Sequence, residues 1–332
     1  MTSVVLVAVI VLVVALDFTN GFHDAANAVA TAVSTKALPM RPALALAAVM
    51  NLLGALAGTG VAVTVASGVI ANPGEHGVAG GLRVVAAAVA GAIVWNLVTW
   101  YFGLPSSTSH ALIGGLVGAA LVSATSVHWA GVLDKVVIPM VVSPAVGLVL
   151  GFLVMTAILW LLRKADAHKA GRALRRAQIA SVAALALGHG LQDAQKSMGM
   201  IVLALVVTGH QIGYGVPLWV VLTCAAAMAA GTYTGGKRIM RTLGRRIFQL
   251  TPPYGFAAEL SASAVLYTTA FVFAAPISTT HVITSAVMGA GATRRRSAVR
   301  WGVAGDIATG WVLTLPAAAL TAAAAYFVFG IG

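Results

Sequence analysis

The residues able to do chemistry in this chain lie where apolar sequence would be expected. GFHDAANAVA (21 to 30) follows an unbroken apolar run and carries His23, Asp24 and Asn27; GLQDAQKSMG (190 to 199) carries Gln192, Asp193, Gln195 and Lys196, with Gly, Asp and Ala at the same relative places. An aspartate in the middle of an apolar span costs about 2.5 to 3.5 kcal/mol even on the lenient insertion scale. That cost, incurred twice at matched positions, favours a cation or proton site. An Asp oxygen, an Asn or Gln carbonyl and backbone carbonyls freed at an interrupted helix make a hard-cation ligand set. The alternative is a buried hydrogen-bond network that only glues helices together. Glu259, in GFAAELSASAVLY, and Asn96, ahead of a serine cluster, are further candidates for the cation site, whereas Asp134 and Asp306 read as helix-end residues. Lys196, three residues after Asp193, shares its helical face. It either neutralises Asp193 or helps to hold an anion, and is grouped here with the anion-binding candidates.

A second duplicated pattern supplies those candidates. PSSTSH (105 to 110) and PISTTH (276 to 281) share P-x-S-T-x-H. Proline suits the first turn of a helix, where its missing N–H is not needed. Ser106, Ser107, Thr108 and Ser109, with Ser278, Thr279 and Thr280, would then leave hydroxyls and unpaired N–H groups near two helix starts, which attract anions. Simple helix capping is the alternative for any single copy. His110 and His281 could titrate near neutral pH or be structural.

The elements that must position these groups are membrane helices. Hydrophobic residues make up 60% of 332 and charged residues only 8%, which excludes an ordinary soluble domain. Runs such as TSVVLVAVIVLVVAL lack the alternation of a β-barrel. The first sixteen residues have no preceding Lys or Arg and are read as a retained helix rather than a leader. Fifteen of the twenty basic residues fall in three short clusters, at 163 to 176, 237 to 246 and 294 to 300. Flanked by apolar stretches, they read as cytoplasmic loops under the positive-inside rule, and no motif supports nucleic-acid binding. Cys224 allows no intrachain disulfide, and no metal cluster or cofactor is indicated.

With those clusters inside, crossings fall at 2–35, 42–66, 82–102, 105–122 and 136–162, then at 177–207, 216–233, 255–274, 276–291 and 301–329. The fold expected is an all-α polytopic membrane protein of about ten crossing segments. Two inverted repeats of five (1–162 and 177–332) flank a basic cytoplasmic loop at 163–176, and both termini lie outside. Interrupted helices and Ser/Thr-rich re-entrant turns complete the expectation. VSPAVGL (142 to 148) and TLPAAAL (314 to 320) form a third matched pair, and the three offsets are 169, 171 and 172. A rival reading is an intramembrane hydrolase using a Ser, His110 and Asp24, but no G-x-S-x-G elbow is present.

These motifs resemble the inorganic phosphate transporter (PiT) family, whose members carry two Asp-centred motifs, one per inverted half, and two Ser/Thr-rich turns. The resemblance runs from about residue 17 to 320. It implies secondary transport of inorganic phosphate, with no enzyme activity, in the inner membrane. It further implies a cation site at Asp24, Asn27, Asp193 and Gln195, phosphate held by Ser106, Ser107, Thr108, Ser278, Thr279 and Thr280, and a homodimer. His23 stands where the family commonly has Asn, and Gln192 and Gln195 replace the two Asn of the second motif, which leaves proton and sodium coupling both open. The FHDAANA wording is similar to the bacterial low-affinity branch, whose members carry metal–phosphate complexes, so a divalent metal could be part of the cargo. A carrier of another oxyanion such as sulfate is the nearer rival. No G-x-x-x-x-G-K-[ST] signature for ATP is present.

Overall fold

The computed structural model describes residues 2–235, 239–240, 242–243 and 247–330. Among them the main elements are helices: α1 (Thr2–Ser34), α2 (Met40–Ala55), α3 (Gly60–Gly68), α4 (Val78–Phe102), α5 (Thr108–Val122), α6 (Trp129–Leu161), α7 (Ala167–Val207), α8 (Leu218–Thr234), α9 (Pro252–Phe271), α10 (Thr279–Ala292) and α11 (Trp301–Val328). Each of the ten apolar segments expected from the sequence overlaps one of these helices or, for 42–66, a pair of them.

Four of them, α1, α4, α6 and α11, are long and apolar enough to cross a membrane. The pair α2 and α3 makes a fifth candidate, bent by 69°. Helices α5 and α10, with 15 and 14 residues, extend only about 22 and 21 Å, less than the roughly 30 Å of a hydrocarbon core. Both are buried along nearly their whole length, so protein rather than lipid surrounds them.

Several local expectations are corrected. Helices α1 and α7 run unbroken through the Asp motifs, so no backbone carbonyl is freed there. The aspartates are accommodated by side-chain partners in the bundle, and the helices need not open. Pro105 and Pro276 precede the first helical residues, Thr108 and Thr279, by three positions. The N-cap belongs instead to Ser107 and Ser278, whose hydroxyls accept from the N–H of His110 and His281, each at 3.2 Å. The stretch 163–176 is helical from Ala167 onward, because the Asp166 side chain caps α7 by accepting from the N–H of Lys169 at 2.8 Å. The basic residues of the 237–246 cluster lie outside the described residues.

Packing is reciprocal between the halves. α1 packs on α8 as α7 packs on α2, and α5 packs on α11 as α10 packs on α6. The glycine of each Asp motif sits at such a crossing. A Cβ on Gly21 would lie 2.3 Å from the carbonyl of Met228 in α8, and one on Gly190 would lie 2.1 Å from that of Asn51 in α2. Small residues let membrane helices approach this closely. The same approach brings the polar faces of α1 and α7 to the starts of α5 and α10.

Candidate functional site

The two short helices deliver the hydroxyls. α4 closes with Gly103 in the left-handed region (φ 66°), a glycine-favoured helix end. An extended stretch then leads to the Ser107 cap and Thr108. In the second half α9 ends at Phe271, and the corresponding stretch leads to Ser278 and Thr279.

Thr108 and Thr279 face the two aspartates. Thr108 Oγ1 donates to Asn20 Oδ1 at 2.7 Å and lies 3.3 Å from Asp24 Oδ2; Thr279 Oγ1 donates to Asp193 Oδ2 at 3.0 Å. Asp24 Oδ1 also pairs with His23 Nδ1 at 2.6 Å, and Asp193 Oδ2 with His189 Nε2 at 3.0 Å. Asp24, His189 and Asp193 each place a ligand atom within 4.8 Å of the others. The Asp motifs of opposite halves therefore meet in one buried cluster whose oxygens and ring nitrogen suit a small cation.

The turns lock onto each other across the halves. Ser109 Oγ donates to the carbonyl of Ile277 and Thr280 Oγ1 to that of Ser106, both at 3.0 Å. Asn27 Nδ2 donates to Thr280 Oγ1 at 2.7 Å, and Lys196 Nζ donates to Ser109 Oγ, to Asp193 Oδ1 and, at 3.1 Å, to the carbonyl of Ile277. Lys196 is thus the geometric counterpart of Asn27, as the offset of 169 between the two motifs also requires; Gln195, to which the resemblance gave that role, aligns with Ala26. Gln195 turns away: its Oε1 accepts from the N–H of Val61 at 2.7 Å, capping α3.

The remaining candidates divide. His23 Nε2 lies 3.1 Å from Thr99 Oγ1, and Gln192 Nε2 donates to Thr269 Oγ1 at 2.9 Å, so this pair ties the motifs to the ends of α4 and α9. Asn27 Oδ1, Gln192 Oε1 and both polar atoms of Asn96 are buried without a hydrogen-bond partner among the described residues. Ser106 Oγ donates to Thr99 Oγ1 at 2.8 Å and lies 3.5 Å from His23 Nε2. Its proton is therefore committed to Thr99 rather than to a base, and the nitrogens of His110 have no hydrogen-bond partner among the described residues, which leaves the hydrolase arrangement unassembled. Glu259 is not brought to the aspartates. It accepts from Thr31 Oγ1 at 2.5 Å, from Gln178 Nε2 at 2.9 Å and from Ser181, and Thr31 lies about two turns along α1 from Asp24.

Sequence reasoning passed over His189 and Asp17. His189 is four residues before Asp193, on the same helical face, and that spacing was the available signal. Asp17 is fully buried. Ser197 and Cys224 are its polar neighbours, with Lys196 and Asp193 in electrostatic range.

Comparison with known proteins points to one family. The profile of the phosphate transporter family matches residues 20–175 and 163–322. Proteins described as probable low-affinity inorganic phosphate transporters are similar throughout. That of Rhizobium meliloti is 46% identical over 97% of this chain and 96% of its own length. That of Bacillus subtilis is 40% identical over 98% and 97%, and that of Mycobacterium tuberculosis is 46% identical over 97% and 76%. A solved structure described as the sodium-dependent phosphate transporter superimposes with a TM-score of 0.86 at 25% identity, covering 99% of each chain. Helices long and apolar enough to cross a membrane, the duplicated polar site and these relatives lead to one conclusion: the chain belongs to the phosphate transporter family.

Proposed function

We propose that this protein is a cation-coupled symporter of inorganic phosphate that works by alternating access. The observation that carries the reading is the convergence of Asp24, His189 and Asp193 within 4.8 Å, beside the starts of two buried helices that enter from opposite halves. The cluster takes the cation; the first turns of α5 and α10, with Ser106, Ser107, Thr108, Ser109, Ser278, Thr279 and Thr280, take the phosphate. Helix N-termini present N–H groups without intrahelical partners, and such groups favour an anion. Coupling follows from charge. An anion approaching two carboxylates and one ammonium is repelled on balance, and a bound proton or metal cation at Asp24 removes that repulsion where the low dielectric makes it largest.

The two halves, 1–162 and 177–332, act in this reading as inverted repeats that rearrange about the site. The protein would lie in the inner membrane as a homodimer, with its basic segments cytoplasmic and both termini outside. Sodium and protons are both candidate coupling ions, and a metal–phosphate complex is a candidate cargo. The test is uptake of labelled phosphate into proteoliposomes under a sodium gradient, a proton gradient or neither. Saturable, gradient-dependent uptake is expected. Its absence under both gradients would remove the proposal, and competition by sulfate at equal concentration would favour a broader oxyanion carrier.

A further inference from the structure

Lys196 stands where the first half has Asn27. Each follows its motif aspartate by three residues, and each donates to a hydroxyl of the opposite turn: Asn27 to Thr280, Lys196 to Ser109. Those two hydroxyls are themselves equivalent, since Thr280 reaches the carbonyl of Ser106 and Ser109 reaches that of Ile277. A neutral amide on one side is therefore matched by an ammonium on the other.

An ammonium has three donors and no acceptor. Lys196 engages all three, with Asp193 Oδ1, Ser109 Oγ and the carbonyl of Ile277, and is only 3% exposed. A carboxylate, a hydroxyl and a backbone carbonyl are the oxygen ligands that a hard cation collects. No N–H of the ammonium is left over to grip an anion directly. Asp24, by contrast, has no lysine or arginine ion-pair partner among the described residues, only His23.

We propose that Lys196 is a tethered cation that permanently fills the second half's counterpart of the coupling-cation site, leaving the Asp24 side as the place that takes a mobile one. The inference rests on the cation-coupled reading above and sharpens it into a statement about stoichiometry. A carrier with neutral residues at both positions has two aspartates to neutralise with ions from solution, and this chain brings one of those charges with it.

The test is Lys196→Asn, which copies Asn27, in the full-length protein reconstituted in proteoliposomes. Charge moved per phosphate should rise by one elementary charge, and phosphate uptake should depend more steeply on sodium or proton concentration than in the wild type. An active variant with unchanged charge per phosphate and unchanged steepness overturns the proposal. For a variant without uptake, thermal melting of the purified protein is read without phosphate, in choline chloride and in sodium chloride of equal ionic strength, at neutral and acidic pH. The variant should melt below the wild type in choline chloride at neutral pH and recover on addition of sodium or acid by more than the wild type shifts. No recovery by either overturns the proposal. Wild-type uptake measured alongside separates the two claims, because its absence would strike at phosphate transport while leaving the melting result to judge Lys196.

Discussion

The imidazoles of His110 and His281 lie 4.8 Å apart, centroid to centroid, where α5 and α10 begin. They are the equivalent histidines of the two P-x-S-T-x-H turns, so the halves meet at their own matching residues. His281 also stacks on Trp311 at 3.9 Å, and no ring nitrogen of either histidine has a hydrogen-bond partner among the described residues. Ring packing therefore holds them. His281→Phe keeps the stack and forfeits no hydrogen bond, and exchanging an unpaired buried polar group for an apolar one of similar shape is neutral or stabilising. The melting temperature of the variant should match or exceed that of the wild type. A clear fall would show that a nitrogen is bonded after all.

Both aspartates are expected to be indispensable to coupling; Asp24 is dispensable to folding, whereas loss of Asp193 leaves the buried Lys196 ammonium without its carboxylate and lowers the melting temperature. Asp24→Asn and Asp193→Asn keep shape and polarity but remove a carboxylate, at Asp24 the charge that a mobile cation would bind and at Asp193 the partner of Lys196. Gradient-driven phosphate uptake should fall by roughly a hundredfold for each, equivalent to about 2.8 kcal/mol, while size-exclusion profiles stay monodisperse. Wild-type uptake by either variant would make that residue part of a structural hydrogen-bond network only.

The fold was legible in the sequence down to the overlap of every apolar segment with helix, because apolar length and charge clustering report directly on burial in lipid. What was misread is local. The breaks expected at GFHDAANAVA and GLQDAQKSMG are absent because Gly21 and Gly190 serve close helix crossing, and nothing in one-dimensional spacing separates a glycine that packs from a glycine that breaks. The residues that meet in the candidate site were legible because duplication marked them. The role given to Gln195 belongs to its neighbour: the offset of 169 already sets Lys196 against Asn27, adjacent residues on a helix point about 100° apart, and the partners Val61 and Ser109 show that Lys196 is the one facing the site.

The crossed bonds between the turns give a coupling that can be measured. Ser109→Ala and Thr280→Val each remove one donor to a carbonyl of the opposite turn, a loss of about 0.5 to 1.5 kcal/mol in stability. Uptake should suffer more than stability does, since both bonds set the distance between the helix starts proposed to hold phosphate. A double-mutant cycle should give non-additive uptake, as expected for residues sharing one network. Strict additivity would mean that the turns act independently.

Close helix crossing predicts which glycines tolerate a methyl group. Gly190→Ala drives a Cβ to 2.1 Å from the backbone oxygen of Asn51, whereas a Cβ at Gly305 meets nothing within 4 Å. Overpacking of this kind costs about 1 to 3 kcal/mol. Gly190→Ala should lower the melting temperature, and Gly305→Ala should leave it unchanged or raise it through helix propensity. Equal behaviour of the two would mean that α2 and α7 do not approach as described.

Glu259 separates a structural acid from a coupling acid. Its carboxylate collects Thr31, Gln178 and Ser181, and it makes no ion pair among the described residues. Glu259→Leu strands three donors in a buried site, and each unsatisfied group costs about 1 to 3 kcal/mol, so the variant should melt well below the wild type. Glu259→Gln can keep most of the bonds, because the two hydroxyls can reverse and accept from its amide. It should recover most of the stability and depress phosphate uptake less than Asp24→Asn does, since Glu259 lies outside the cluster of Asp24, His189 and Asp193. Uptake lost in Glu259→Gln as completely as in Asp24→Asn, with stability intact, would move Glu259 from the scaffold into the coupling pathway.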